Sequence, residues 1–283
     1  MKIIISLLVV ACFVLSCQEE QKEEKEQEVS RLEIDNSTNK VGLSKDIKFI
    51  PLNPARGDKA PQAGAIYGNI RKDVATGYIG KFKNGFSSPP HIHNITYRAI
   101  VMNGELHNAD EKAPKMWMTT GSIWTQPKGQ SHITAAQGEN AMAYIEIDSG
   151  PYLVKHEGEA FESDEKPINM HASNVIYLGK SESKLIGENC DAKIAYVWEK
   201  KNGENGYLLK LPTGFKGNVY SEGSIFFGII ISGKVAYTMP DSGKIIGLDQ
   251  GSHFESKTKA IHDISTNEES LVYIRTNARF MIE

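Results

Sequence analysis

Apolar and polar residues alternate with a period of two through much of this chain. Met142 to Ile147, "MAYIEI", and Val272 to Asn277, "VYIRTN", are two such stretches, and Gly, Pro, Asn and Asp bound them. Side chains two apart share one face of an extended strand, so this period predicts half-buried strands. No stretch carries a long helical period. Many short strands with frequent turn residues predict an all-β chain built as a sandwich or barrel.

The pattern occurs twice. "GYIGKFKNGF" (Gly77 to Phe86) aligns without a gap on "GYLLKLPTGF" (Gly206 to Phe215). Gly104 then matches Gly233, "GSIW" at Gly121 matches "GSHF" at Gly251, and His132 matches His262. "AYIE" at Ala143 matches "VYIR" at Val272. A nearly constant offset over so many positions predicts two homologous units, residues 41–150 and 172–283, joined by a polar linker, 151–171.

The ends and the composition add location. Residues 3–15 are apolar, too short to span a bilayer comfortably, and Ser16-Cys17 follows them. This resembles a bacterial lipobox, which implies that 1–17 is a signal segment and that Cys17 carries lipid (palmitate among its acyl chains). Residues 18–40, opening with "QEEQKEEKEQE", have no apolar face and predict an acidic, solvated tether. An acidic cluster after a lipidated cysteine is similar to the export tag of surface lipoproteins, so the expected location is the outer membrane, anchored and not spanning. Cys12 leaves with the signal, so Cys190 has no disulfide partner and reads as a core residue. The net charge of -3, with no basic patch, argues against nucleic acid as a partner.

The chemistry gathers in "GFSSPPHIHNITYRAIVMNG", Gly85 to Gly104. If this stretch is extended, His91, His93, Ile95, Tyr97, Ala99 and Val101 line one face. Two imidazoles and a phenol among apolar neighbours need partners, and a metal ion is one. The stretch resembles the first cupin motif, Gly, five residues, His-x-His, three or four residues, Glu, six residues, Gly. Gly121, Pro127, Gly129 and His132 resemble the second motif. The chain is therefore similar to two-domain cupins (bicupins), and to the ChrR-like cupins among them, over nearly everything after residue 41. The resemblance implies two tandem jelly-roll barrels. It also implies one divalent transition metal (Zn, Fe, Mn or Ni, with Cu also suited) on His91, His93 and His132.

Tyr97 stands where the family has its glutamate. A phenol, with an ordinary pKa of ~10, is a poorer ligand than a carboxylate. It either ligates weakly, or contacts a metal-bound water and serves as an acid/base, or packs, as Phe226 does at the matching position. In the second unit Tyr220 and Glu222 replace the paired histidines and only His262 remains, so that unit is expected to have lost its metal. Weaker candidates for substrate contact are Lys81, which recurs as Lys210, then Glu146, His107 and Trp124. Glu146 is read as an exposed charge or a barrel-facing group, His107 as a loop residue, and Trp124 as core or a sugar-stacking ring.

An open metal position beside a phenol suits β-elimination, which removes a proton next to a carboxylate polarised by metal. With the envelope location, this leads to a carbon–oxygen lyase or dehydratase acting on small acidic sugars, the uronate-containing oligosaccharides of polysaccharide degradation. Two other readings keep the fold. One is an iron-dependent dioxygenase, since three histidines without a carboxylate are similar to the centres of cupin thiol and diketone dioxygenases. The other is a non-catalytic small-ligand or sugar-binding lipoprotein. Cupins often pair by strand exchange, so a homodimer is a further expectation.

Overall fold

The computed structural model describes residues 34–283. The signal segment, Cys17 and most of the acidic tether lie outside the described residues. The described chain is built from short antiparallel strands, with only 3-10 turns between them.

The first unit centres on a seven-stranded sheet. Its order is Ile168–Met170, Ile123–Gln126, Tyr97–Ala109, Ile133–Ile147, Thr76–Phe82, Gln62–Tyr67 and Phe49–Pro51. Tyr97–Ala109 and Ile133–Ile147 pair along almost their whole lengths. Register breaks between Val101 and Asn103, and again before Glu105, bend the pair and let its far half serve as a second wall. Gly104 sits at the bend with φ +69°, and a Cβ there would lie 2.9 Å from Ala141 Cα, so this position requires glycine. Bridges Ser87↔Ala135 and His91↔His132 close the barrel on the site side. The second unit repeats the plan with a six-stranded and a five-stranded sheet, its corresponding long strands interrupted near Gly233. The architecture is the tandem jelly roll that the two motifs imply.

Two edge strands come from outside the unit whose sheet they join. Lys40–Gly42 pairs with His253–Ser256 of the second unit, and Ile168–Met170 pairs with Ile123–Gln126 of the first. Residues 151–171 therefore join the units without running free, and Val154–His156 forms a two-stranded ladder with His91–His93.

Alternation in the large sheet fills two cores. Tyr78, Tyr97, Ala99, Val101 and Ile145 point into the first barrel. Ile79, Ile100, Met102 and Tyr144 point the other way, onto Leu208, Phe227, Ile229 and Tyr273 of the second unit. Both faces of the sheet are thus buried, and the units form one body by sheet-on-sheet packing.

Glu146 lies in that interface, which corrects both sequence readings of it: it is neither exposed nor barrel-facing, but 1% exposed between the units. Tyr273 donates to its Oε1 (2.7 Å), and Arg275, its repeat-related counterpart, lies 3.6 Å from Oε2. Arg275 also reaches Asp148 (3.2 Å) and contacts Glu204, while Arg98 joins Asp148 at 3.0 Å and covers the Trp198 ring. Buried charges persist only when paired and hydrogen-bonded. Arg275→Met removes the nearer of the two arginines at Glu146 and leaves it only Arg98, 3.9 Å from Oε1. The expected loss of stability is about 3 kcal/mol, measured by urea unfolding against the wild type; a loss within error would mean that the cluster is indifferent to Arg275.

Candidate metal centre

The sequence places His91 and His93 on one short strand, Ile92 pointing away between them. The ladder to Val154–His156 on one side and the His91↔His132 bridge on the other fix that strand. His132 arrives from the turn before Ile133–Ile147. The three rings form one cluster, with candidate ligand atoms all within 4.8 Å of one another. The His91 and His132 ring centroids are 4.3 Å apart.

Hydrogen bonds decide which nitrogen is free. His91 Nδ1 faces Pro89 O (2.9 Å), His93 Nδ1 faces Leu153 O (3.2 Å) and His132 Nδ1 faces Gln130 O (3.3 Å). A carbonyl can only accept, so each Nδ1 carries the proton and donates it. Each Nε2 is then left with a lone pair, the usual arrangement of a metal-ligating histidine. Burial holds all three rings neutral, and neighbouring imidazoles add to it at His93 and His132. His132 falls to about 3, His93 goes well below its ordinary value, and His91 is lowered, in each case by desolvation first. Three neutral imidazoles with Nε2 free fit a divalent transition metal. Among the described residues no carboxylate or thiol joins the cluster.

Two phenols complete the surroundings. Tyr97 OH lies 3.4 Å from His132 Nε2 and donates to Asn108 Oδ1 at 2.9 Å. Thr134 Oγ1 donates to the same oxygen, and Asn108 Nδ2 donates to Gln126. The protein groups around Tyr97 push its pKa up, chiefly by desolvation. The geometry places Tyr97 in a fixed polar network beside the metal cluster. Tyr152, which the sequence reading missed, stacks on His93 (centroids 4.5 Å, 21°) and lies 3.2 Å from its Nε2.

The cluster opens onto a cavity of about 460 Å³, within the range of small-molecule sites. Its walls are mainly apolar and aromatic, including Tyr78, Phe82, Phe86, Trp124 and Ile145, and the full charge among the lining residues is Arg56, exposed at the rim.

The remaining candidates lie elsewhere. Lys81 covers the Phe49 ring at 3.7 Å, and its counterpart Lys210 covers Tyr177, so both shield aromatic surface outside the cavity. His107 is not on a loop: it is buried within Tyr97–Ala109, with Nδ1 at 3.3 Å from Met116 O, and it does not line the cavity. Trp124 lines the cavity, 1% exposed, and its ring packs edge-on to Tyr97.

In the second unit Phe226 stacks on His262 (4.8 Å, 21°) where Tyr97 would stand. Tyr237 OH at 2.9 Å and Ser256 Oγ at 3.1 Å serve the two ring nitrogens of His262. Glu222 is exposed. Desolvation holds His262 at about 3, against an ordinary 6.5. The unfolded chain therefore takes up a proton below about pH 6.5 that the folded chain refuses until about pH 3. The stabilising contribution is complete above that window and is lost as pH falls through it. His262→Gln is expected to flatten the decline of unfolding free energy between about pH 5.5 and 4.5 by roughly 1.4 kcal/mol per pH unit. Urea titrations at stepped pH measure it; an unchanged slope would refute the neutral core assignment.

Comparison with known proteins agrees with this architecture. The model of a family described as a domain of unknown function, DUF4437, matches residues 40–283. No curated protein matches the chain. Among solved structures, a Nostoc punctiforme protein named as a candidate dioxygenase superposes with TM-score 0.64 at 12% identity, covering 86% of this chain and 83% of that one. Salicylate 1,2-dioxygenase from Pseudaminobacter salicylatoxidans gives 0.57 at 12%, covering 88% of each. Oxalate decarboxylase from Lactobacillus farciminis gives 0.54 at 11%, covering 84% and 86%. Identities this low carry the fold alone.

Proposed function

This chain belongs to the DUF4437 family, and we propose that it is a metal-dependent cupin enzyme, a dioxygenase of a small, largely apolar substrate. The observation that carries the reading is the set of three neutral imidazoles with unprotonated Nε2, two of which, His91 and His93, line an apolar cavity of about 460 Å³. His91, His93 and His132 would hold the metal. A redox-active divalent ion there supplies the electron transfer that spin-forbidden reactions of dioxygen need, and a carboxylate-free donor set leaves positions for small molecules.

The chain's own residues do the rest. Tyr78, Phe82, Phe86 and Trp124 remove apolar substrate surface from water and keep the reaction zone dry. The carbonyls of Pro89, Leu153 and Gln130 hold the imidazole tautomers. The Asn108, Thr134 and Gln126 network holds the Tyr97 proton away from the reacting groups.

The same walls weigh against a lyase of acidic oligosaccharides. A uronate sugar carries hydroxyls and a carboxylate that each need a partner once buried, and this cavity offers few. Salicylate 1,2-dioxygenase, a structural relative also known in complex with gentisate, supports a planar, compact substrate by analogy. The test is oxygen uptake by protein loaded anaerobically with Fe(II), Mn(II) or Zn(II), on a panel that includes salicylate, gentisate, diketones and uronate oligosaccharides. The expected outcome is uptake with a redox-active metal and an apolar substrate, lost in His132→Ala together with the metal. Turnover of any panel member at full rate without oxygen would overturn the dioxygenase reading, and new enoyl-carboxylate absorbance from uronates would restore the lyase.

We also propose that Cys17 is lipidated and anchors the enzyme in the cell envelope, on the sequence of residues 1–40. Labelled palmitate should enter the wild type and not Cys17→Ser. Equal labelling of both would place the lipid elsewhere.

A further inference from the structure

We propose that Tyr152 is the residue that faces the open side of the metal and hydrogen-bonds the non-protein group bound there. The inference rests on the three-imidazole site of the preceding reading but not on its oxygen chemistry.

The dipeptide Tyr152-Leu153 attends to both ends of the His93 ring. Leu153 O accepts the Nδ1 proton at 3.2 Å, which leaves Nε2 as an acceptor. The Tyr152 hydroxyl, 3.2 Å from that Nε2, is then its donor. The lone pair that receives the phenol proton is the lone pair a metal takes. The stacked ring sets the hydroxyl over the Nε2 end of the imidazole, so a metal that takes the Nε2 electrons leaves the Tyr152 O–H without its acceptor.

The released phenol has little freedom to leave. Tyr152 N donates to Ile70 O (2.8 Å), Leu153 N donates to Asn94 Oδ1 (2.9 Å), and Asn94 Nδ2 donates back to Pro151 O (2.9 Å). The ring lies flat on His93, with Tyr78 and Tyr97 edge-on at 6.0 Å each. A backbone pinned on both sides and a ring packed on three keep the hydroxyl beside the cluster. Its proton needs a new acceptor, since an unpaired buried donor is costly. Two acceptors are at hand, the Tyr78 hydroxyl, buried beside Tyr152 with no partner of its own, and an oxygen or anion on the metal's remaining position, and the charged one makes the stronger bond.

Tyr97 does not compete for this role. Its proton is placed on Asn108, whose oxygen and nitrogen are in turn held by Thr134 and Gln126. The two phenols flank one site, but one is locked into the wall and the other becomes free when metal binds. The chemical class recognised is a small anion or anionic oxygen: hydroxide, or a carboxylate or phenolate oxygen of the substrate.

Co(II) and azide test this without turnover. Wild type, Tyr152→Phe and Tyr97→Phe, each checked for folding by circular dichroism, are loaded with Co(II) and titrated with azide, and visible absorption reports both steps. Tyr152→Phe is expected to bind Co(II) at least as tightly as wild type, because no competing hydrogen bond must break, and to bind azide about 10-fold more weakly. Tyr97→Phe is expected to keep the wild-type azide affinity. Unchanged azide affinity in Tyr152→Phe, an equal fall in Tyr97→Phe, or loss of Co(II) from Tyr152→Phe would overturn the assignment. Failure of wild type to take Co(II) would instead remove the metal site itself.

Discussion

An imidazole buried in an apolar barrel brings two ring nitrogens that must both be satisfied, and that requirement organises this molecule. The first unit brings three such rings together and spends a backbone carbonyl on the Nδ1 of each. The rings cannot then satisfy one another, because all three present acceptors to the same small volume. A cation is the partner common to three lone pairs. The elements around the cluster follow from supplying those carbonyls. The Pro89 turn, the Gln130 turn and the 151–156 segment each deliver one, which is why a joining segment is woven into the barrel wall.

The second unit meets the same requirement in another way. His262 keeps its place, but Tyr237 and Ser256 serve its two nitrogens and Phe226 covers its face. Among the described residues no second histidine stands beside it to share a cation. The second unit differs by more than two histidines: the remaining one is part of the core. Its barrel interior is closed by Phe226, Phe254 and Phe280, ring against ring, where the first unit keeps a cavity.

How much of this was legible in the sequence depends on the reach of each signal. The repeat and the histidine spacing are carried by covalent order, and the inward face His91, His93, Tyr97, Ala99, Val101 follows from strand parity. Asn108 was not legible, because the register breaks around Gly104 shift parity: Tyr97 and Val101 point inward on odd positions, Leu106 and Asn108 on even ones. Tyr152 was not legible either. It reaches His93 across 59 residues from a stretch whose composition reads as linker. For Glu146, sharing a face with Tyr144 and Asp148 was readable, but alternation says only that a face differs from its opposite. It cannot say that a second sheet covers it.

That covering sheet bears on the chemistry. Tyr97 and Arg98 are adjacent, and their side chains leave the strand on opposite faces. One enters the polar network beside the metal cluster and the other enters the ionic cluster between the units. Ile147 pairs with Tyr97 across the sheet, between Glu146 and Asp148, which Arg275 of the second unit reaches. A charge network buried between two sheets tolerates little sliding, since each displaced partner is left unpaired in a medium of low dielectric. The second unit therefore fixes, through Arg275, the strand edge on which the first unit's site is built. Sheet-on-sheet burial alone would hold the units together. The paired charges add a register, and a register is what a site defined by a few tenths of an ångström requires.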